Sequence, residues 1–149
     1  MAEFATSIDI DAPAEVVFDF LVTTEGMLAW MGEYAELDPA PGGTFAINVA
    51  GFPIRGEYVE VRRPERVVVS WGHLGNEHFP PGGSLVAFTL VAIPGGTRVE
   101  LVHSGLPETR VAGHQNGWEH FMPRLRAAAT GRVQDDDDWA PLSTGERWP

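Results

Sequence analysis

The sequence contains no cysteine and no lysine, and no stretch of it approaches the apolar length of a membrane helix. Without cysteine there is neither a disulfide framework nor a thiol nucleophile, and without lysine there is no Schiff-base chemistry. A bilayer-spanning helix needs about 20 apolar residues, so no transmembrane segment is expected. The N-terminal MAEFATSIDID lacks a basic segment followed by an apolar one, which argues against a secretory signal and for a cytoplasmic protein. Basic charge is also scarce. Ten arginines face 21 acids, for a net charge of -11, and a surface of that sign repels nucleic-acid phosphates and anionic lipid. Nucleic acid and membrane are therefore excluded as expected partners. The chain has no GxSxG elbow, no P-loop, no GxGxxG and no HExxH, and the spacing of His73, Glu77 and His78 fits no strong zinc pattern, so neither metal nor cofactor is expected.

What the chain does have is one long amphipathic segment within residues 103–131. Val111, His114, Trp118, Phe121, Met122, Leu125 and Ala129 recur at intervals of three and four, with Gln115, Glu119, Arg124 and Arg126 mostly opposite. This spacing predicts a C-terminal helix. Pro123 predicts a kink or a break in it, because proline lacks the N–H and crowds the carbonyl four residues earlier. Gly117 predicts a close approach to a sheet beside Trp118.

Most of the remaining sequence alternates at period two in short blocks broken by Gly and Pro. Strands are predicted near 3–10, 34–38, 43–50, 54–62, 66–73, 84–93 and 97–104, with Gly95-Gly96 as the best hairpin signal. Pro13 opens a short helix with Val16, Val17, Phe20 and Leu21 on its apolar face, and Thr24 caps a second with Met27, Leu28 and Trp30. The simplest way to bury both patterns is a curved antiparallel sheet closed over the long helix, an α+β architecture. Beyond residue 131 the period is lost. Residues 1–131 read as the domain and 132–149 as an acidic tail, in which Asp135 to Asp138 form a solvated run and Trp139 and Trp148 are candidate anchors on the body or on a second subunit, making a homodimer possible.

The order strand, two short helices, six strands and long helix resembles the helix-grip fold of the START and Bet v I superfamily. The segments PAEVVFDFLV with Trp30, PGGTF at 41–45, RGEYVEVRRPERVVVSW at 55–71, GGTRVELVHSGLP at 95–107, and His114 with Gly117-Trp118 are similar to the bacterial activator of heat-shock protein 90 ATPase homologues. The likeness covers roughly residues 4–130. It implies a seven-stranded curved antiparallel sheet wrapped around the C-terminal helix, with a pocket between them. Three features depart from the pattern: Met31-Gly32 after Trp30, the helical Pro123 and the acidic tail.

Strand parity predicts the lining of such a pocket. Phe45, Ile47 and Val49 face inward, as do Val67, Val69 and Trp71 with His73 at the strand's end, then Val86, Phe88 and Leu90, then Val99, Leu101 and His103. Trp118, Phe121, Met122 and Leu125 close it from the helix, and Trp30 borders it. The set fits either a packed core or an apolar cavity. The polar candidates are His103, His114 and Glu57. Each histidine is either a base or ligand partner, or a satisfied residue tying a strand end to a helix start. Glu57 is a buried carboxylate if it faces inward with Val59 and Val61, and otherwise an exposed acid on an edge strand. Three functions follow: binding of a small hydrophobic, aromatic or polyketide-like molecule; a cyclase or dehydratase in which Glu57, His103 or His114 shuttles protons; and, from the resemblance alone, interaction with a chaperone ATPase.

Overall fold

In the computed structural model, which describes residues 2–132, seven strands form one curved antiparallel sheet. They are β1 (Ala2–Ile10), β2 (Tyr34–Leu37), β3 (Thr44–Val49), β4 (Phe52–Arg62), β5 (Arg66–His73), β6 (Ser84–Ile93) and β7 (Gly96–Leu106). The helices are α1 (Ala14–Val22), α2 (Thr24–Leu28) and α3 (Val111–Ala129), the last preceded by a single 3-10 turn, Glu108–Arg110. The expected tail, with its acidic run and Trp139 and Trp148, lies outside the described residues.

The strand order β1-β7-β6-β5-β4-β3-β2 puts the first two strands at opposite edges. Strands β2 to β7 are a meander of sequential neighbours joined by local turns and loops, the longest between β5 and β6, whereas the link from β1 to β2 must cross the whole sheet. The α1–α2 pair makes that crossing. Thr23 separates the two helices, its extended backbone ending α1 while its hydroxyl oxygen accepts the Gly26 N–H at 3.0 Å as the cap of α2. Helix α1 is buried along Val17, Phe18, Leu21 and Val22. The phenol of Tyr58, on β4, donates to the Leu21 carbonyl at 3.0 Å and anchors the crossing to the sheet. Burial pushes the Tyr58 hydroxyl far above its ordinary range, with the Asp38 carboxylate adding to the effect, so it stays a donor at all working pH. Tyr58→Phe leaves a buried carbonyl without its partner, and an expected loss of about 1 to 3 kcal/mol should appear as a lower urea midpoint at unchanged slope.

The β6–β7 hairpin turns one residue earlier than Gly95-Gly96 suggests. Ile93 pairs with Gly96, so the turn residues are Pro94 and Gly95. Proline supplies the fixed φ of the first position, and Gly95 takes the positive φ of 81° at the second. Gly96 serves another purpose, since a Cβ there would overlap the Ile10 carbonyl oxygen at the end of β1.

Helix α3 is continuous through Pro123 rather than broken in two. Pro123 and Glu119 are both exposed, so water can satisfy the Glu119 carbonyl that proline leaves without a donor. The inner face carries Gly113, His114, Gly117, Trp118, Phe121, Met122, Leu125 and Ala129, all buried, at the three-and-four spacing that one packed helix face requires.

Candidate functional site

Between α3 and the inner sheet face lies a cluster of rings. Trp71 on β5 and Trp118 on α3 have ring centroids 5.3 Å apart, Phe88 on β6 sits 6.0 Å from Trp118, and Phe45 on β3 sits 5.9 Å from Trp71. Trp30 adds an edge-on contact to Phe88 at 6.4 Å and is held by two main-chain bonds: its indole N–H donates to the Phe20 carbonyl, and its own carbonyl accepts from Arg124 Nε. At these separations the Trp118 ring is in direct contact with those of Trp71 and Phe88, and no further ring fits between it and either of them. Ile47, Leu101, Phe121 and Met122 are buried in the same core.

Two histidines are part of this interior. His103 ends the inward row of β7, and His114 lies on the first turn of α3. Their rings meet edge to face at 4.8 Å, and both are fully buried. Hydrogen-bond accounting assigns the tautomers. The Trp118 indole can only donate, and it reaches His103 Nδ1 at 3.1 Å, so Nδ1 is the acceptor and the proton sits on Nε2. Nε2–H then donates to Ser84 Oγ at 2.8 Å, and the Ser84 hydroxyl donates to the Trp71 carbonyl at 2.7 Å. This chain runs in one direction from Trp118 to the sheet backbone. It leaves His103 no lone pair with which to accept the serine proton, so the Ser84–His103 contact is not a nucleophile–base pair. In His114, Nδ1–H donates to the Arg110 carbonyl at 2.9 Å.

Both imidazoles are held neutral. Burial pushes His103 well below its ordinary 6.5, and the neighbouring His114 adds to the shift. Burial lowers His114 to about 3; the bond to the Arg110 carbonyl opposes that shift, and the Arg110 charge reinforces it.

Glu57 stands apart from the cluster: it is exposed, on the outer face. The expectation that it shares a face with Val59 and Val61 fails at a β-bulge. The register between β4 and β5 shifts between Tyr58 and Glu60, which leaves Val59 half exposed. Val61 does pack on the core, but the extra residue reverses parity, so the inward positions before the bulge are Ile54, Gly56 and Tyr58. A one-residue insertion in the ladder flips every side chain on one side of it.

Four residues that bear on the site were not singled out by periodicity. Tyr58 and Ser84 are inward strand residues, and Arg110 belongs to the 3-10 turn. Phe79 comes from the loop between β5 and β6, yet it is buried and meets the His114 ring edge to face at 5.5 Å. Its signal was an isolated aromatic immediately before Pro80-Pro81 in an otherwise Gly-rich loop. His73, Glu77 and His78 do not gather, and among the described residues no group of three His, Cys, Asp or Glu could hold a metal ion.

The fold and this closed interior define a helix-grip α+β protein. The profile of the Activator of Hsp90 ATPase homolog 1-like protein family matches residues 11–130, and the chain belongs to that family. Among solved structures, an AHSA1-like protein from Rhizobium etli is 37% identical, with a TM-score of 0.72 over 93% of this chain and 89% of that one. The Aha1 dimer from Colwellia psychrerythraea is 24% identical, with a TM-score of 0.75 over 87% of this chain and 96% of that one. An HSP90 activator from Plasmodium falciparum is 21% identical, with a TM-score of 0.73 over 87% and 97%. The last two likenesses are of fold alone. Among curated proteins, none matches this chain.

Proposed function

We propose that the protein binds a small hydrophobic, aromatic molecule at the aromatic and histidine-containing end of the interior between sheet and α3, which is packed closed in this structure and must open to admit it. The observation that carries this reading is the pair of neutral histidines in ring contact within an apolar interior. A core needs no such groups, and burying imidazole polarity costs free energy unless its bonds are made. Polar groups converging in an aromatic interior are what orient a ligand in a mostly apolar site. Binding has better support than proton-shuttle chemistry, because His103 spends its acceptor on Trp118 and Glu57 is on the outer face.

Three of the five tryptophans lie in this interior, so binding should change intrinsic fluorescence. Titration of the full chain with a panel of aromatic acids, aromatic alcohols and fatty acids is expected to give saturable quenching by at least one aromatic member. Native mass spectrometry should show the same compound bound once per chain. A panel without a binder in either measurement would overturn the reading.

A second reading, docking to a heat-shock protein 90 ATPase, has family membership in its favour. The exposed large apolar side chains among the described residues, Val16, Leu28, Tyr34, Val59, Leu74, Leu85 and Val91, are spread over α1, α2, β2, β4, the β5–β6 loop and β6, which gives this reading less support than one contiguous apolar patch would. Stimulation of that ATPase by the purified chain would favour it.

A further inference from the structure

Helix α1 carries a second apolar line besides its buried one. Val16 and Phe20 stand four residues apart, hence one above the other, and with Asp19, Glu25 and Ala29 they line a groove of about 320 Å³ between α1 and α2. The groove is open to solvent: Val16 is 41% exposed, and Phe20 and Ala29 are half-buried. Its α2 wall is Gly26 and Ala29, which have almost no side chain with which to fill it. Packing fixes the first of them. A Cβ on Gly26 would lie 2.6 Å from the Asp19 carbonyl oxygen and 2.8 Å from the Phe20 Cα, so the α2 backbone rests directly on α1.

The rim of this groove is acidic. No base precedes Arg55 in the sequence, whereas residues 11–25 hold Asp11, Glu15, Asp19 and Glu25, all exposed. Glu15 and Asp19 are four apart on α1, a like-charge spacing that disfavours the helix unless a cation intervenes. For Asp19 the fold supplies one. Arg63, from the β4–β5 turn, reaches Asp19 at 2.7 Å and holds its guanidinium 4.6 Å from the centre of the Phe18 ring. A carboxylate next to an aromatic ring on this helix thus already binds an arginine. Glu25 and Phe20 bring the same two groups to the groove, and among the described residues no ion pair engages Glu15 or Glu25.

We propose that the α1–α2 groove is a docking site for an amphipathic helical segment of a partner protein, with an apolar anchor laid on Val16, Phe20 and Ala29 and flanking arginines on Glu15 and Glu25. Such a segment reads a groove by anchors at three-and-four spacing, and its arginines complete a charge pattern that Arg63 only half satisfies. A second copy of this chain is a poor occupant, because a two-fold contact would bring the same four carboxylates together. The inference concerns the outer face of the crossing and does not depend on the ligand binding proposed above.

The test uses the full chain and three acetylated, amidated helical peptides, at about 0.15 M salt to screen the charge of -11. One has leucines and arginines at three-and-four spacing, one replaces its leucines by alanine, and one replaces its arginines by glutamate. The leucine–arginine peptide is expected to move the amide resonances of residues 15–29 and to bind roughly tenfold more tightly than either control. Glu25→Arg and Val16→Asn, both at exposed positions that the fold does not need, should each weaken it by about tenfold. Equal binding by the alanine peptide would mean that net charge alone attracts it, and would overturn the groove. Shifts confined to other residues, no binding, or unchanged affinity in both variants would do the same. If Trp148→Ala alone moves the 15–29 resonances, the occupant is the chain's own C-terminal end; if they move on dilution of the protein alone, it is a second copy. Either result overturns the assignment of a separate partner.

Discussion

Trp118→Ala is expected to destabilise the protein by about 5 kcal/mol, a loss comparable to the whole stability of many domains. Two costs combine. The first is the cavity left among Trp71, Phe88 and His103, whose rings all contact the indole. The second is His103 Nδ1, which is stranded as a buried acceptor once its donor is gone. Trp118→Phe separates them, because it keeps most of the ring packing and removes only the N–H. Its expected cost is about 1 to 3 kcal/mol, the penalty for an unsatisfied buried group together with a slightly smaller ring. Urea unfolding of the three proteins checks both values. A Trp118→Phe variant as stable as wild type would mean that the indole does not donate to His103, and the directed chain to Ser84 and the Trp71 carbonyl would lose its starting point.

The second large effect is acid lability. Both buried histidines are neutral in the folded protein, and in the unfolded chain each titrates near 6.5. Below pH 6.5 the unfolded state therefore binds protons that the folded state refuses, and stability falls as pH falls. Above pH 6.5 the penalty vanishes. For His114 the decline continues down to about pH 3, where the folded imidazole finally protonates. Each histidine contributes a slope of about 1.4 kcal/mol per pH unit, so the pair removes roughly 4 kcal/mol by pH 5. Two other groups that titrate on the acid side shift among the described residues. Asp9, at the surface, is held low by its bond to Arg98, and His73, half-buried, is lowered by burial and then by the Arg110 charge, which adds to the decline in the same direction. Urea midpoints measured between pH 5 and 7.5 should show the steep slope, and His114→Phe should reduce it by about half. An unchanged slope in that variant would mean that His114 does not resist protonation in the folded state.

Much of the architecture was legible because it rests on local periodicity. The three-and-four spacing from Val111 to Ala129 marks the buried face of α3, and alternation over residues 43–50 and 84–93 marks the inward rows of β3 and β6 within about a residue of their ends. Parity also carried His103, Trp71 and Phe88 to the interior. It left Glu57 open between a buried carboxylate and an exposed acid, and the structure gives the exposed acid, on an inner strand rather than an edge; the face shared with Val61 was misread because a bulge between Tyr58 and Glu60 leaves no mark in the composition of β4 and reverses the faces behind it. It failed again for Phe79, which belongs to no period and is placed by the path of a loop over Gly72 and beside His114. Pro123 was legible as a defect, but its consequence was not. Whether proline breaks a helix depends on what satisfies the freed carbonyl, and here that carbonyl is on the exposed face.

The sequence by itself determined the α+β class, the long inner helix, the seven strands and the residues that are apolar, because those properties follow from side-chain spacing and backbone preference within a few neighbours. The tertiary structure alone decided the sheet order with β1 beside β7, the ring contact between His103 and His114, the tautomer that binds His103 to Trp118 and Ser84, and the burial of Phe79 among polar groups. These depend on which distant segments meet. A strand pattern states that a side chain points inward, but not which partner it finds there, and the chemistry of a buried polar group is set by that partner.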